Sequence, residues 1–197
     1  IHGQGEVKAT MYMENQEFWE INNLRITNFE ETEPGNLTRK RGIHIRATDM
    51  GAVRHFHLFN LEVDSVNSEN SSFTSRYYGG IFFEITGSET PTFFDDIIVD
   101  SCYIHDLSRT GISNTSSWAD RILTTSFGEY IGKDTKGNDR YDNWVSSKNI
   151  LIKRNILKRI AGNGIIIRVA DKPLIEKNYM DSCGLYISGN AAFCFNT

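Results

Sequence analysis

The stretch NGIIIRVADKPLIEKNYMDSCGLYI, Asn163–Ile187, runs from the phrase Gly164-Ile165 to the similar phrase Gly184-Leu185. The interval is too short to hold a helix between two strands. A chain that returns to the same phrase so quickly indicates an internal repeat. A repeat decides the fold before any single motif does.

Five segments of the chain align with one another without gaps. They are WEINNLRITNF, FHLFNLEVDSV, IIVDSCYIHDL, ILIKRNILKRI and PLIEKNYMDSC, and their first aligned apolar residues are Ile21, Leu58, Val99, Ile152 and Ile175. Further apolar residues follow three, five and eight positions on, with Phe29 at the eighth position of the first segment and Asn155 and Asn178 as the polar members. This spacing fits two short strands separated by a bend that shifts their alternation. Asn23 and Asn60, which tolerate a left-handed backbone, stand at the bend.

Each segment is accompanied by a second apolar phrase that opens on a glycine: Gly42, Gly80, Gly111, Gly164 and Gly184. One turn of the repeat is therefore strand, corner, strand, corner, strand. The shortest return, from Ile152 to Ile175, is 23 residues. This predicts an all-β, single-stranded parallel β-helix with coils of about 23 residues, in which successive coils stack. Asn155 and Asn178 would then form a buried ladder, because a buried amide needs hydrogen-bond partners.

The longer returns of 37, 41 and 53 residues predict insertions into the first three coils. These insertions are Glu30–Arg41, Asn67–Tyr78 and Ser116–Trp144. We therefore expect residues 1–197 to form one β-helix domain, part of a longer solenoid, with 116–144 as an inserted loop. Loops of this kind commonly build the wall of a binding site. The glycine-led strand would be the floor of a groove between them.

Alternation along the floor strands separates core residues from groove residues. Behind inward aliphatic residues, the outward positions hold His44, Phe82, Ser113, Ile166 and Tyr186, and two residues further on Arg46, Glu84, Thr115, Arg168 and Ser188. We expect His44, Arg46, Phe82, Arg168 and Tyr186 to bind substrate. An alternative for Arg46 and Glu84 is a surface ion pair of small energetic effect.

The third insertion is rich in aromatic and charged residues. Trp118 is the candidate for stacking on a sugar ring and Asp120 the candidate loop carboxylate. The alternative is a loop whose aromatic residues anchor it onto the coil beneath.

Composition excludes several partners. A net charge of -4 and a pI near 5.7 exclude the basic footprint of a nucleic-acid-binding protein. No apolar run approaches the roughly 18 residues that span a membrane. The three cysteines lie in apolar runs without metal-site spacing. Asp95 and Asp96 could join a calcium site, but water-facing corner residues are the favoured interpretation, so no cofactor is predicted. His55 and His57 are interpreted as outward polar residues.

Several stretches carry a family resemblance: NQEFWEINNLRITN, RGIHI, IVDSCYIHDLSRTGI, NILIKRNILKRIAGNGI and PLIEKNYMDSCG. They resemble the right-handed parallel β-helix proteins of the pectin-lyase-like superfamily, in particular the bacterial polysaccharide-utilisation enzymes. The resemblance implies a carbohydrate partner and a location outside the cytoplasm, whether secreted, periplasmic or at the cell surface. Many relatives have Gly-Asp-Gly-Ile where this chain has Asn163 in the acidic place.

Three functions are compatible with these residues. The leading one is a glycoside hydrolase acting on a plant or microbial polysaccharide, with Glu84 and Asp120 as the catalytic carboxyl groups. The second is a polysaccharide lyase, in which Arg168 or Arg46 neutralises an enolate formed from a uronate. The third is a segment that binds glycans, or only supports the scaffold, without catalysis.

Overall fold

The computed structural model describes residues 1–31, 38–69, 76–119 and 144–184, together with the backbone of strands at 123–124, 130–131 and 193–196. Its strands, in chain order, are β1 (Ala9–Glu14), β2 (Trp19–Asn22), β3 (Arg25–Asn28), β4 (Arg41–Thr48), β5 (Ala52–Phe59), β6 (Glu62–Val66), β7 (Gly79–Thr86), β8 (Phe93–Asp100), β9 (Tyr103–Leu107), β10 (Thr110–Ser116), β11 (Leu123–Thr124), β12 (Tyr130–Ile131), β13 (Lys148–Lys153), β14 (Ile156–Ile160), β15 (Ile165–Arg168), β16 (Leu174–Glu176), β17 (Tyr179–Cys183) and β18 (Phe193–Asn196). No helix in the described residues is long and apolar enough to cross a membrane.

Three parallel sheets share the strands of the repeat. The floor sheet has the order β1-β4-β7-β10-β15-β18, the second sheet β16-β13-β8-β5-β2, and the third sheet β17-β14-β9-β6-β3. Strands β11 and β12 form a separate antiparallel pair in the predicted third insertion. The chain visits the floor, second and third sheets in rotation, which is the arrangement of a parallel β-helix. The coil length of about 23 residues and the right-handed sense stay predictions.

The predicted columns of the repeat pair as expected. In the second sheet, Ile21 pairs with Leu58, and the column continues through Val99, Ile152 and Ile175. In the third sheet, Ile26 begins a column that continues through Val63, Ile104, Leu157 and Met180. Most of these side chains lie in one continuous hydrophobic core. Burial of stacked aliphatic side chains is therefore what holds successive coils together.

The eighth position of the first segment differs from the prediction. The register shifts between Thr27 and Asn28, so that Asn28 pairs with Val66 and Phe29 is 49% exposed. Asn28 is fully buried, and its Nδ2 donates to the carbonyl oxygens of Val7 at 2.9 Å and Arg41 at 3.1 Å. Because of the bulge, Asn28 takes the buried position expected for Phe29 and forms hydrogen bonds with two neighbouring segments.

The bends between the second and third sheets are confirmed. Asn23 has a φ of 57° and Asn60 a φ of 51°, both in the left-handed region. Ser101, Arg154 and Lys177, at the equivalent place in later coils, have a φ of 54° each. The corner thus requires a left-handed backbone even at residues other than asparagine, at a small cost in strain.

The predicted asparagine ladder is also confirmed. Asn155 Nδ2 donates to Asn178 Oδ1 at 2.9 Å and to the carbonyl oxygen of Val99 at 2.9 Å. The backbone N–H of Cys102 donates to Asn155 Oδ1 at 2.9 Å. The two amides therefore satisfy each other and the corner backbone of adjacent coils, which accounts for polar residues in an apolar column.

The glycines that open the floor strands face the backbone of the next coil. A Cβ on Gly80 would lie 2.4 Å from the carbonyl oxygen of Gly111, and one on Gly111 would lie 2.5 Å from that of Gly164. Real Cβ atoms do not approach an oxygen so closely. The glycine-led phrase therefore marks a corner where successive coils touch through their main chains.

The two ends of the floor sheet depart from the prediction. The floor strand after β15 is β18, in which Cys194 pairs with Ile166. The expectation that Gly184-Leu185-Tyr186-Ile187 forms this strand is wrong, because Phe193–Asn196 takes the register beside β15. At the other end, β1 precedes the first recognised coil and pairs with β4. Strand β1 was not predicted, because it lacks a glycine-led phrase.

Candidate functional site

The outer face of β1, β4 and β7 brings charged and aromatic side chains together. The strand register places Tyr12 beside His44 and His44 beside Phe82, and it places Glu14 beside Arg46 and Arg46 beside Glu84. The strand register thus confirms the predicted adjacency of His44 with Phe82 and of Arg46 with Glu84. We call Tyr12, Glu14, His44, Arg46 and Glu84 the floor cluster.

Glu84 is held by two neighbours from β4. His44 Nε2 lies 2.9 Å from Glu84 Oε2, and Arg46 Nε lies 3.7 Å from the same oxygen. Arg46 Nη1 lies 3.7 Å from Glu14 Oε1 on the other side. Tyr12 Oη donates to Glu14 Oε2 at 2.7 Å. One guanidinium group therefore lies between two carboxylates on the floor.

Burial and charge set the protonation of this cluster. Burial lowers the pKa of His44, against the hydrogen bond to Glu84 that raises it. The ring is therefore neutral near pH 7, and its Nε2–H donates to Glu84. Burial alone would raise the pKa of Glu84, but the hydrogen bond from His44, together with Arg41 and Arg46, holds that pKa below its ordinary value. Glu84 is thus an ionised carboxylate.

An aromatic row runs beside the carboxylates. Ring centroids lie 5.1 Å apart for Tyr12 and His44, 5.2 Å for His44 and Phe82, and 5.6 Å for Tyr77 and Phe82. Phe82 is only 2% exposed, and the Arg41 guanidinium lies 4.6 Å from its ring centroid. The expectation that Phe82 contacts substrate is therefore wrong, because its neighbours cover it. Tyr12, at 48% exposed, is the accessible ring of the row.

Arg168 lies on the same sheet but makes different contacts. Its Nη1 donates to Tyr77 Oη at 2.6 Å. Its backbone N–H donates to Asn114 Oδ1 at 2.7 Å, and its carbonyl oxygen accepts from Asn114 Nδ2 at 2.7 Å. Arg168 thus ties β15 to β10 and to Tyr77, at the end of the second insertion.

The remaining predicted site residues lie elsewhere. Trp118 is 9% exposed and belongs to the hydrophobic core, so it anchors the start of the third insertion and does not present a ring to a sugar. This matches the anchoring alternative for that loop. Asp120 and Tyr186 lie outside the described residues, and Cys194 holds the register position expected for Tyr186.

The predicted corner carboxylates have specific partners. Asp95 Oδ1 accepts from Asn149 Nδ2 at 2.7 Å. Asp96 Oδ2 lies 3.0 Å from His55 Nδ1 and 3.0 Å from His57 Nε2. The calcium alternative gains no support from this donor set, because both groups that contact Asp96 here are imidazoles and Ca²⁺ prefers oxygen ligands.

Tyr12 and Glu14 are the floor residues that sequence reasoning missed. A signal was present in MYME, where Met11 and Met13 alternate with Tyr12 and Glu14. The same alternation occurs in IHIR, which was recognised from its preceding glycine. A search for the alternation alone would have found both floor residues.

The fold places the chain among the parallel β-helix proteins. No family model matches it. It is 23% identical over 224 residues to a lacto-N-biosidase of Bifidobacterium longum subsp. longum, a match that covers 94% of this chain and 13% of that protein.

Solved structures show the same fold. A native crystal structure of a GH136 lacto-N-biosidase from Eubacterium ramulus is 24% identical with a TM-score of 0.71, and it covers 90% of this chain and 29% of its own. A selenomethionine form of that enzyme gives 23% identity, a TM-score of 0.68 and coverages of 90% and 28%. The chain thus spans less than a third of the length of the relatives it matches.

Proposed function

We propose that the chain is the β-helix part of a glycoside hydrolase. The observation that supports it most is the ionised Glu84, held by His44 and Arg46 on an outward floor beside the exposed ring of Tyr12. Glycosidases use a pair of carboxyl groups, one ionised and one protonated. The similarity to lacto-N-biosidases supports hydrolysis over elimination.

Glu84 takes the role of the ionised carboxylate, either as base or as nucleophile. Asp120 is the proposed acid. Ser116, at the end of β10, pairs with Ile85 directly after Glu84. Asp120 follows Ser116 by four residues in the sequence. Glu14, which accepts from Tyr12 and faces Arg46, is assigned to binding sugar hydroxyl groups.

The proposed substrate is an oligosaccharide that carries the lacto-N-biose unit in the relatives' name, and not a plant polysaccharide. Tyr12 would stack on a sugar ring, since an exposed aromatic face suits the apolar side of a pyranose. Arg46, which is partly exposed, would bind through the guanidinium atoms that its carboxylate contacts leave unused. His44 is 7% exposed, so its proposed role is to hold Glu84 in position. An oligosaccharide substrate also fits the proposed location outside the cytoplasm.

A second candidate function is glycan binding without cleavage. Its support is that Glu84 is already bonded to His44 and approached by Arg46 before any substrate is present. A satisfied ion network can orient a sugar without transferring a proton. In that case the catalytic carboxyl groups would lie in parts of a larger enzyme beyond this chain.

The test is hydrolysis of an oligosaccharide with a terminal lacto-N-biose unit, followed by chromatography of the released disaccharide. We expect Glu84→Gln to lower kcat by about 10²- to 10⁴-fold, because loss of a positioned acid or base has that effect. Glu176→Gln, on the second sheet, is the matched control and should retain full activity.

Three outcomes would redirect the assignment. Full activity of Glu84→Gln would exclude Glu84 from catalysis. Binding of the oligosaccharide by the wild-type protein without release of product would favour the binding function. An unsaturated product, detected by its ultraviolet absorbance, would indicate a lyase.

A further inference from the structure

A second polar cluster lies on the outer face of the second sheet, away from the floor. It consists of Glu20 on β2, His55 and His57 on β5, and Asp96 on β8. Glu20 pairs with His57 in the strand register. Arg54 pairs with Asp95, and the next aligned pair is Phe56 with Ile97, so His55 stands level with Asp96. We call these four residues the histidine cluster.

The donor atoms of this cluster converge. One ligand atom from each of Glu20, His55 and His57 lies within 4.8 Å of the other two. His55 Nε2 lies 3.1 Å from Glu20 Oε1, and its Nδ1 lies 3.0 Å from Asp96 Oδ2. The same Asp96 oxygen lies 3.0 Å from His57 Nε2. The two imidazole centroids are 3.9 Å apart.

The fold itself places these side chains. His55 has a φ of 61° and Asp96 a φ of 73°, and Phe18 and Asn149 have left-handed backbones at the equivalent place in neighbouring coils. The bend is therefore a general property of this corner. At this bend β5 has the imidazole of His55 and β8 has the carboxylate of Asp96. Successive coils lie about 4.8 Å apart, so the two side chains stack one above the other.

We propose that the histidine cluster is a binding site for one divalent transition-metal ion of the Zn²⁺ type. Glu20 Oε1 and one nitrogen from each of His55 and His57 are the ligands. Imidazole with carboxylate is a donor set that suits Zn²⁺, and tetrahedral Zn²⁺ bonds of 2.0–2.2 Å put ligand atoms about 3.3 Å apart. The spacing between His55 Nε2 and Glu20 Oε1 is already close to that value.

Asp96 is the positioning residue of the site. It accepts from His55 Nδ1, which leaves His55 Nε2 directed at Glu20. A carboxylate behind a metal-bound histidine fixes the tautomer and orientation of the ring in many zinc sites. On binding, the imidazole nitrogens that coordinate the ion must be deprotonated, so their protons pass to solvent.

Charge balance favours a divalent cation. With its imidazoles deprotonated, as coordination requires, the cluster of two carboxylates and two imidazoles carries a net charge of two negative units. In the described part of the chain, the ion pairs of Glu20 and Asp96 are with His55 and His57. No lysine or arginine in those residues takes part in the cluster's ion pairs.

A superficially similar cluster on the third sheet already has an arginine partner. Glu62, Asp64 and His105 also converge, but Arg25 donates to both oxygens of Asp64 at 2.9 Å each. His105 Nδ1 lies 2.6 Å from Asp106 Oδ2. A guanidinium already supplies the positive charge there, so we assign no metal to it. That cluster therefore provides an internal control.

A metal ion in the histidine cluster would join β2 to β5 through side chains, with β8 supporting the site through Asp96. These strands belong to three successive coils. Binding to the folded state alone stabilises that state by mass action. The ion would therefore act as a clamp between coils, independent of the chemistry on the floor.

The experiment is titration of the metal-free protein, prepared without a histidine tag, with Zn²⁺ and separately with Ca²⁺. Calorimetry gives the stoichiometry and affinity, and thermal unfolding gives the stabilisation. We expect one Zn²⁺ per chain, a higher Tm with Zn²⁺, and no comparable response to Ca²⁺. The absorption spectrum of bound Co²⁺ should show nitrogen and oxygen ligands without a thiolate band, since none of the proposed ligands is a cysteine.

The variants identify the ligands. We expect His57→Ala to abolish stoichiometric binding and Asp96→Asn to weaken it about 10- to 100-fold. His105→Ala, in the control cluster, should bind as the wild type does. Absence of Zn²⁺ binding by the wild type would overturn the proposal, and so would equal loss in His105→Ala or a thiolate band with Co²⁺. The wild-type titration decides the question even where a variant fails to fold.

Discussion

The asparagine ladder and the floor cluster are both polar, yet they have different roles. Asn155 lies inside the solenoid, fully buried, with its amide bonded to Asn178, Val99 and Cys102. Glu84 lies on the outside, ionised, and shares one neighbour, Arg46, with Glu14. The interior group completes the backbone hydrogen bonding of the coils. The exterior group concentrates charge where a ligand can reach it.

The comparison separates stability from activity. Removing an interior amide leaves buried donors and acceptors without partners, which is costly in free energy. Neutralising an exterior carboxylate removes charge from a face that water can reach, at little cost to folding. Variants in the two regions should therefore move different measurements.

The largest effect on stability is expected for Asn155→Ala. It orphans the N–H of Cys102 and the carbonyl oxygen of Val99 inside the core, so the free energy of unfolding should fall by about 3 kcal/mol. Urea denaturation measures this. Asn178→Ala, in a less buried position, is the control and should cost less. An equal loss in the two variants would mean that the hydrogen bonds of the ladder, and not the burial of each asparagine, determine the loss of stability.

A smaller loss is expected for Gly111→Ala. The new Cβ would lie 2.5 Å from the carbonyl oxygen of Gly164 and 2.8 Å from Leu157 Cδ2, and overpacking of this kind costs about 2 kcal/mol. The matched control is Gly42→Ala, whose nearest neighbour is the side-chain atom Val63 Cγ1 at 2.7 Å and whose nearest backbone atom is 3.0 Å away. Gly42→Ala should lose less stability under the same urea titration. The reverse order would contradict the inference that backbone contact between coils selects glycine.

Arg46→Met tests the exterior half of the comparison. Removal of the guanidinium should raise the pKa of Glu84 toward its ordinary value, because Arg46 is one of the groups that lower it. Carbon-detected NMR of the Glu84 carboxyl measures this without assuming an activity. The free energy of unfolding should change little, since Arg46 is a partly exposed residue. Arg54, on the second sheet, has a guanidinium that approaches Glu17, so Arg54→Met should leave the Glu84 titration unchanged.

The sequence predicted what depends on local alternation and repetition. The stacked columns, the left-handed corner at Asn23 and the ladder at Asn155 follow from side-chain pattern and the pairing rules of strands. The bulge that exposes Phe29 could not be read from the pattern, because Asn28 competes for the same place through hydrogen bonds.

The candidate site was less accessible to prediction. The burial of Phe82 depends on Arg41 and Tyr77, which lie at the ends of the first and second predicted insertions and have no fixed place in the repeat. The convergence of His55 with Asp96 depends on a corner that keeps two residues of different coils level. Alternation predicted that these side chains face outward, but it did not predict which of them touch.

The smallest effect is expected where both partners are exposed. Arg159 Nη2 donates to Asp106 Oδ2 at 2.6 Å, and this guanidinium holds the pKa of Asp106 at about 2. A lowered pKa in the folded state contributes stability above the ordinary value of 3.8, and that contribution is lost as the pH falls toward 2. Arg159→Ala should therefore lower Tm at pH 7 and not at all well below pH 2, where Asp106 is protonated. The effect at pH 7 should be slight, because solvent screens the pair. Lys158→Ala, one residue away, should show no such dependence on pH. A loss of Tm in Arg159→Ala that persists below pH 2 would mean that the side chain stabilises the third sheet by packing instead of by charge.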